Sequence, residues 1–296
     1  MRYSTPGALR AAIDQRLVTQ ANESGTDIAR LRRRIAFERL LVRFAAPTSP
    51  SESPGKGDVW VLKGGAALEF RLSDRARATK DVDVEVRHAA PTDETVRDLL
   101  VEALLSDPDG DLFGFRLDTF GPVTVASDPG RVLRAKVECR LDGRTFDRVT
   151  VDISIGDSPH QRVEPLRLPG LLGFADLAPA TILAVDLRRH FAEKLHAMLR
   201  DYGGRPSSRV KDLADLILVI DMGLEPGGDL LAATGEVFTE RDGAAAPATL
   251  PDPPVGWNDR YAELASELNL SAPTVANAMD TLRNFWNITL ASTKET

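Results

Sequence analysis

Cysteine is almost missing from this chain of 296 residues. Cys139 stands alone, which excludes an intrachain disulfide framework and a cysteine-built zinc site. Histidine is nearly as scarce: His88, His160, His190 and His196 are scattered, so any metal must be held by oxygen ligands. No run of about 18 apolar residues occurs, and the start, MRYSTPGALRAAIDQRL, has no apolar stretch behind basic residues. Neither a membrane span nor a leader is expected, and a cytoplasmic location is predicted. Positive charge is also in deficit, with 37 Lys and Arg against 44 Asp and Glu, a net charge of −7. A protein that coats nucleic acid through its overall charge is thereby excluded; an RNA or DNA partner needs a local basic patch. The chain does have 43% hydrophobic and 27% charged residues, the mixture of an ordinary globular protein. Single cores stop growing at roughly 250–300 residues, so its length favours two lobes.

Pattern along the chain predicts α+β architecture in two lobes. Thr5-Pro6 opens a helix with Leu9, Ile13 and Leu17 on one face, and Thr26-Asp27 opens a second with Ile28, Leu31, Ile35, Leu41 and Phe44 inward. The other face of that second helix is expected to carry Arg30, Arg32, Arg33, Arg34, Arg39 and Arg43, opposed only by Glu38. Residues 46–57 read as a Pro- and Ser-rich loop. Val59–Leu62 is a short apolar strand, followed by a glycine turn and the helical AALEFRL. Residues 81–87 alternate acidic and apolar, as a strand with one polar face does. A helix at 92–105 and β-prone segments at 131–141 and 148–155 complete a first lobe, 1–165, built on a mixed sheet. After Pro165 the pattern turns helical, with helices at 188–200, 208–221, 228–240, 258–268 and 272–290 in a second lobe, 166–296. A Pro- and Ala-rich loop at 244–256 interrupts it.

Asp81 and Asp83 lie two apart on one strand, so both side chains leave the same face, with Cα atoms about 7 Å apart. Two acids so placed suit a pair of Mg²⁺ ions, which in phosphoryl-transfer sites stand about 3.5–4 Å apart. The plain alternative is a solvated acidic strand face. Lys63-Gly64-Gly65 between a strand and a helix offers bare backbone N–H groups to phosphates, although a tight corner alone would need the same glycines. Asp152, on the polar side of VTVDISI, is the candidate third carboxylate, as metal ligand or as base on an attacking hydroxyl; a solvated edge acid is the alternative. Asp147 and Asp157 are less well placed. Lys211 and Asp215, spaced i and i+4, form either a surface ion pair or part of a site. Lys194 and His196 leave opposite edges of one helix, so they cannot share a small site.

The set Lys63-Gly64-Gly65, Leu68, Arg71, Arg77-x-Thr79-x-Asp81-x-Asp83, then Phe191-x-Glu193-Lys194-Leu195-His196-Ala197 and Arg209-x-Lys211-Asp212-Leu213-x-Asp215-Leu216 resembles the AbiEii-type nucleotidyltransferase toxins. These include the MenT toxins and share the minimal core of DNA polymerase β. The resemblance runs from about residue 58 to 220. It implies a polymerase-β-like nucleotidyltransferase lobe, with a helical lobe completing the active-site cleft. It implies further that Lys194, with Arg77 and Lys211 or Arg209, meets the nucleoside triphosphate, and that Asp215 orients Lys194 or another cation. The superfamily's Gly-Ser is Gly64-Gly65 here, so a serine contact to phosphate is absent. His196 is expected to be structural.

The implied chemistry is transfer of a nucleotide from an NTP to the 3′ acceptor end of tRNA with loss of pyrophosphate, in a toxin held in check by a cognate antitoxin. Arg32, Arg33 and Arg34, together with Arg188, Arg189, Arg200, Arg205 and Arg209, are the candidate RNA contacts if they border the cleft. Transfer onto a protein hydroxyl, or a non-catalytic nucleotide- or partner-binding module, are the competing expectations. Thr79, two residues before Asp81, either bonds a turn or is a site of regulatory phosphorylation that would repel the nucleotide.

Overall fold

A computed structural model describes residues 1–46, 59–72, 75–88, 91–125, 128–155, 162–200 and 209–292. Nearly all of the loop expected at 46–57, together with Asp157, His160 and Arg205, lies outside the described residues. The chain forms two compact units. The first holds almost all of the chain up to Ala184; the second holds Val185 onward and takes in Arg77.

In the first unit, helices α1 (Pro6–Ser24) and α2 (Ile28–Ala45) start where capping chemistry dictates. The Thr5 hydroxyl accepts the Ala8 N–H with Pro6 next in the helix, and the Asp27 carboxylate accepts the Ala29 N–H. Gly25, at φ +69°, ends α1 in the left-handed conformation that glycine tolerates. Leu9, Ile13 and Leu17 are buried, each contributing roughly 2 kcal/mol. Then follow β1 (Trp60–Lys63), α3 (Gly64–Leu72), β2 (Asp81–Val86), α4 (Asp93–Leu105), β3 (Gly114–Val125), β4 (Asp128–Leu141) and β5 (Arg144–Ile155). The helical pattern expected from Pro165 does not begin there: β6 (Val163–Arg167) and β7 (Thr181–Val185) come first. Among the described residues, seven strands make one sheet in the order β3-β4-β5-β2-β1-β7-β6. It is mixed, because β1 runs antiparallel to β2 and parallel to β7, while β2 is parallel to β5 and β4 antiparallel to it. The short strand TILAV lacks an alternating pattern because it sits beside the central β1, with Ile182, Ala184 and Val185 all buried.

The α2 arginines do not form the exposed basic face expected of them. Arg39 and Arg43 are fully buried. Arg43 donates to both oxygens of Asp111 at 2.8 Å and to the Phe113 carbonyl at 2.8 Å. Arg39 donates to Asp109 and to Glu38, each at 3.1 Å, and Glu38 in turn accepts the Gly170 and Leu171 N–H groups. The acids come from SDPDGD, residues 106–111, a stretch far off in sequence whose spacing does not announce its partner. Burial of so many charges is tolerated only because each has a counter-charge and hydrogen bonds.

The second unit carries α5 (Leu187–Leu199), α6 (Val210–Asp221), α7 (Gly228–Asp242), α8 (Asn258–Leu268) and α9 (Val275–Ala291), within a few residues of the expected helices. The 244–256 segment is a loop between α7 and α8, as expected. Phe191 of α5 meets Phe285 of α9 with ring centroids 5.4 Å apart. No helix among the described residues is long and apolar enough to cross a membrane.

Candidate active site

Sheet register assembles the first group of candidate residues. Lys63 of β1 lies opposite Asp83 of β2, Asp83 opposite Asp152 of β5, and Asp152 opposite Arg134 of β4. Paired residues share a face, so one row across four strands reads Lys63, Asp83, Asp152, Arg134, with a cation at each end and two carboxylates between. The neighbouring row is Asp81, Thr150 and Lys136. The two strands that carry the three acids are adjacent although 69 residues separate Asp83 from Asp152.

Gly64 turns β1 directly into α3 at φ +63°. A Cβ built on it would stand 2.0 Å from Asp83 Oδ2 and 2.7 Å from its Cγ, so the carboxylate lies against the bare glycine backbone. Thr79 secures the start of β2. Its N–H donates to Glu69 Oε2 at 3.2 Å, and its hydroxyl donates to the Asp81 carbonyl at 3.2 Å and to Asp81 Oδ1 at 3.1 Å. Glu69, buried on α3, faces Arg30 at 3.6 Å and Arg34 at 3.9 Å. Burial pushes its carboxyl up, against the Thr79 bond and the two arginine charges that pull it down. Arg34, Glu69, Thr79 and Asp81 thus form a relay from α2 to the acidic strand. Thr79 is 4% exposed, with its hydroxyl turned onto Asp81.

Arg134 was not singled out from the sequence. Its Nε and Nη2 each donate to one Asp152 oxygen at 2.7 Å, a bidentate pair. The Asp152 hydrogen bonds raise the Arg134 pKa above its ordinary value. Partial burial opposes them, while the charges of Asp152, Asp81 and Asp83 add to the rise. The alternation of Arg134, Lys136, Glu138 and Arg140 on one face of RVLRAKVECRL was the available signal.

The three carboxylates fit a divalent cation in donor chemistry and in strand position, and Gly64, lacking a side chain, lets the Asp83 carboxylate lie where a Cβ would otherwise stand. Among the described residues, however, no three carboxylate, histidine or cysteine side chains already stand together as a ligand set. Both Asp152 oxygens are taken up by Arg134.

The second group lies in the helical unit. Lys194 Nζ donates to Asp215 Oδ2 at 2.8 Å and to Asp212 Oδ1 at 2.9 Å. Arg77 donates to Asp215 through Nε at 3.0 Å and through Nη2 at 3.0 Å, and Arg209 reaches Asp212 at 3.2 Å. Burial alone would raise the Asp215 carboxyl, but the Lys194 and Arg77 charges and hydrogen bonds overcome it and hold its pKa at about 2. Burial alone would likewise lower Lys194, and Asp215 and Asp212 keep it above the ordinary lysine range. Among the described residues, Lys194, Arg77 and Arg209 gather on the two carboxylates Asp215 and Asp212.

The other candidate residues fall as follows. Asp215 is not the surface partner of Lys211: α6 is buried nearly all round, so Asp215 is 1% exposed while Lys211 projects to solvent outside the cluster. Arg189 is buried and bound to Glu193 and Glu240, and Arg34 is buried against Glu69. Arg32 pairs with Asp14 at 3.2 Å and Arg33 with Asp147 at 4.0 Å. Arg188 and Arg200 are half-buried. Asp147 lies by Arg33 and away from the acid rows, its ladder partner being Cys139. His196 is structural, with Nε2 2.8 Å from Asp242 and its ring edge-on to Phe238.

Among solved structures, the chain is similar to an antigenic nucleotidyltransferase-like protein from Paracoccidioides brasiliensis, at 17% identity and a TM-score of 0.38, over 71% of this chain and 84% of that one. No curated protein matches it in sequence. The family described as "Nucleotidyl transferase AbiEii toxin, Type IV TA system" matches residues 51–285. With four-fifths of its length so matched, the chain belongs to the AbiEii nucleotidyltransferase toxins of type IV toxin–antitoxin systems.

Proposed function

We propose that this nucleotidyltransferase uses Asp81, Asp83 and Asp152 to bind Mg²⁺ and moves a nucleoside monophosphate from an NTP to the 3′ acceptor end of tRNA. Blocked aminoacylation and arrested translation would follow. The observation that carries the reading is the pair of rows on the sheet, in which register brings Asp152 beside Asp83 and Asp81 one step along the same face. A two-metal set bound there would neutralise charge at the α-phosphate and on the departing pyrophosphate. Gly64 and Thr79 hold Asp83 and Asp81 in place for that task. Lys194 and Arg77, kept charged and oriented by Asp215, suit the triphosphate. We assign the polymerase-β-like lobe to the sheet-bearing unit. A cognate antitoxin is the expected partner.

One observation favours a different acceptor. Arg32, Arg33, Arg34 and Arg189 are all engaged by carboxylates of this chain, which removes much of the basic surface that RNA phosphates would need. Transfer onto a protein hydroxyl is therefore the second reading. Incubating the protein with Mg²⁺, total tRNA, cell extract and each α-phosphate-labelled NTP separates the two. Label in tRNA supports the first and label in protein the second. Absence of transfer, or undiminished transfer by Asp81→Ala, refutes both.

A further inference from the structure

We infer that Arg134 is a resident counter-ion of the acidic row, which a divalent cation must displace from Asp152 in order to bind. The inference rests on the reading of Asp81, Asp83 and Asp152 as a cation site. Its basis is geometric. Asp152 is a nearly buried carboxylate whose two oxygens are both used by Arg134 at 2.7 Å, and its ladder neighbour on the other side is the carboxylate Asp83. Two adjacent carboxylates on one face repel each other unless a cation stands by them. Lys63 stands opposite Asp83, and on the Asp152 side the cation in the free protein is a guanidinium supplied from β4.

Arg134 is built to leave. Its side chain is 40% exposed while Asp152's is 9% exposed, so the arginine can swing into solvent and be hydrated there, whereas the carboxylate stays at the sheet. The Arg43–Asp111 pair, comparably short at 2.8 Å but buried on both sides, has no such exit. Arg134 also differs from its strand neighbour Lys136, which lies opposite the neutral Thr150. Binding of the ion and release of the arginine are then one exchange, and the free-state bond subtracts from metal affinity. Once released, the guanidinium remains tethered one strand away from the ion.

Mn²⁺ titration followed by the electron paramagnetic resonance of the free ion tests this without any turnover. Arg134→Gln is expected to bind Mn²⁺ about tenfold more tightly than the wild type and to melt at a lower temperature in metal-free buffer. Lys136→Gln removes the same charge from the same strand and is expected to shift the affinity by less than about twofold. If Arg134→Gln does not fold, Arg134→Lys, which keeps the charge but loses the fork, takes its place, with an expected gain of a few-fold. Equal Mn²⁺ affinity in wild type and Arg134 variants overturns the exchange while leaving the cation site standing. An equal gain in Lys136→Gln also overturns it, since a general field rather than a specific bond would then be responsible. Failure of every variant to bind Mn²⁺ removes the cation site itself, and the exchange with it.

Discussion

Replacing Gly64 with alanine tests the most confined contact of the acidic face. A Cβ at this position stands 2.0 Å from Asp83 Oδ2, 2.7 Å from Cγ and 2.8 Å from Cβ, so rotating the tip of the carboxylate gives no relief. Restoring an ordinary contact of 3.4 Å requires Oδ2 to retreat by 3.4 − 2.0, about 1.4 Å. The φ of +63° adds the left-handed penalty of roughly 1–2 kcal/mol for a residue with a side chain. For a unit of this size that penalty lowers the melting temperature by a few degrees. A displacement of about 1 Å at a reacting centre costs on the order of 100-fold in rate. Gly64→Ala should therefore stay folded, melt slightly early, and transfer labelled nucleotide about 100-fold more slowly or worse. Calorimetry and initial rates on the same preparation read both effects. A folded Gly64→Ala protein with a rate within about threefold of wild type would refute the reasoning, because Asp83 would then have no fixed place in catalysis.

Asp215→Asn leaves Lys194 and Arg77 facing each other with one carboxylate fewer, and should cost about 3–5 kcal/mol in urea unfolding and abolish transfer. His196 has its pKa lowered by burial, against the bond to Asp242 that raises it, so the folded state prefers the neutral ring. Its stabilising contribution is complete above the ordinary value of 6.5 and is lost as pH falls below it; His196→Gln should flatten that part of the stability profile. Arg43→Met strands the buried Asp111 and should destabilise by about 3–5 kcal/mol, with most of the loss recovered in Arg43→Met/Asp111→Leu.

Helix positions were readable because capping residues and apolar stripes act locally: Thr5, Asp27 and the Leu9, Ile13, Leu17 stripe need no partner to be recognised. The acids were readable for the same reason, since Asp81 and Asp83 share a strand. What local pattern cannot carry is which distant segment neutralises which charge. Arg39 and Arg43 of α2 looked like a surface because their partners at 107–111 lie about 70 residues away, and Arg134 looked like a strand-face residue until the ladder set it opposite Asp152. For Asp215 the i, i+4 rule offered a surface pair with Lys211 and the resemblance offered Lys194; tertiary burial of α6 decides for Lys194, because it overrides a local ion pair worth a fraction of a kcal/mol. Strands β6 and β7 escaped because five residues each, VEPLR with its internal proline and TILAV with four apolar residues in a row, are too short for a period to be read.

The strand order also bears on how such a chain is made. β1 ends at residue 63 and pairs with β2 soon after, but its other flank is closed only by β7, which ends at residue 185. A growing chain that has emerged to residue 150 therefore carries a central strand, Val61 and Leu62, open on its β7 flank, and contacts of such long sequence separation form slowly. The acidic row is incomplete over much of the same interval, because β5 must be synthesised before Asp152 can join Asp83. Chains truncated before β7 would be prone to edge-to-edge association, so premature release during translation yields aggregate rather than active toxin.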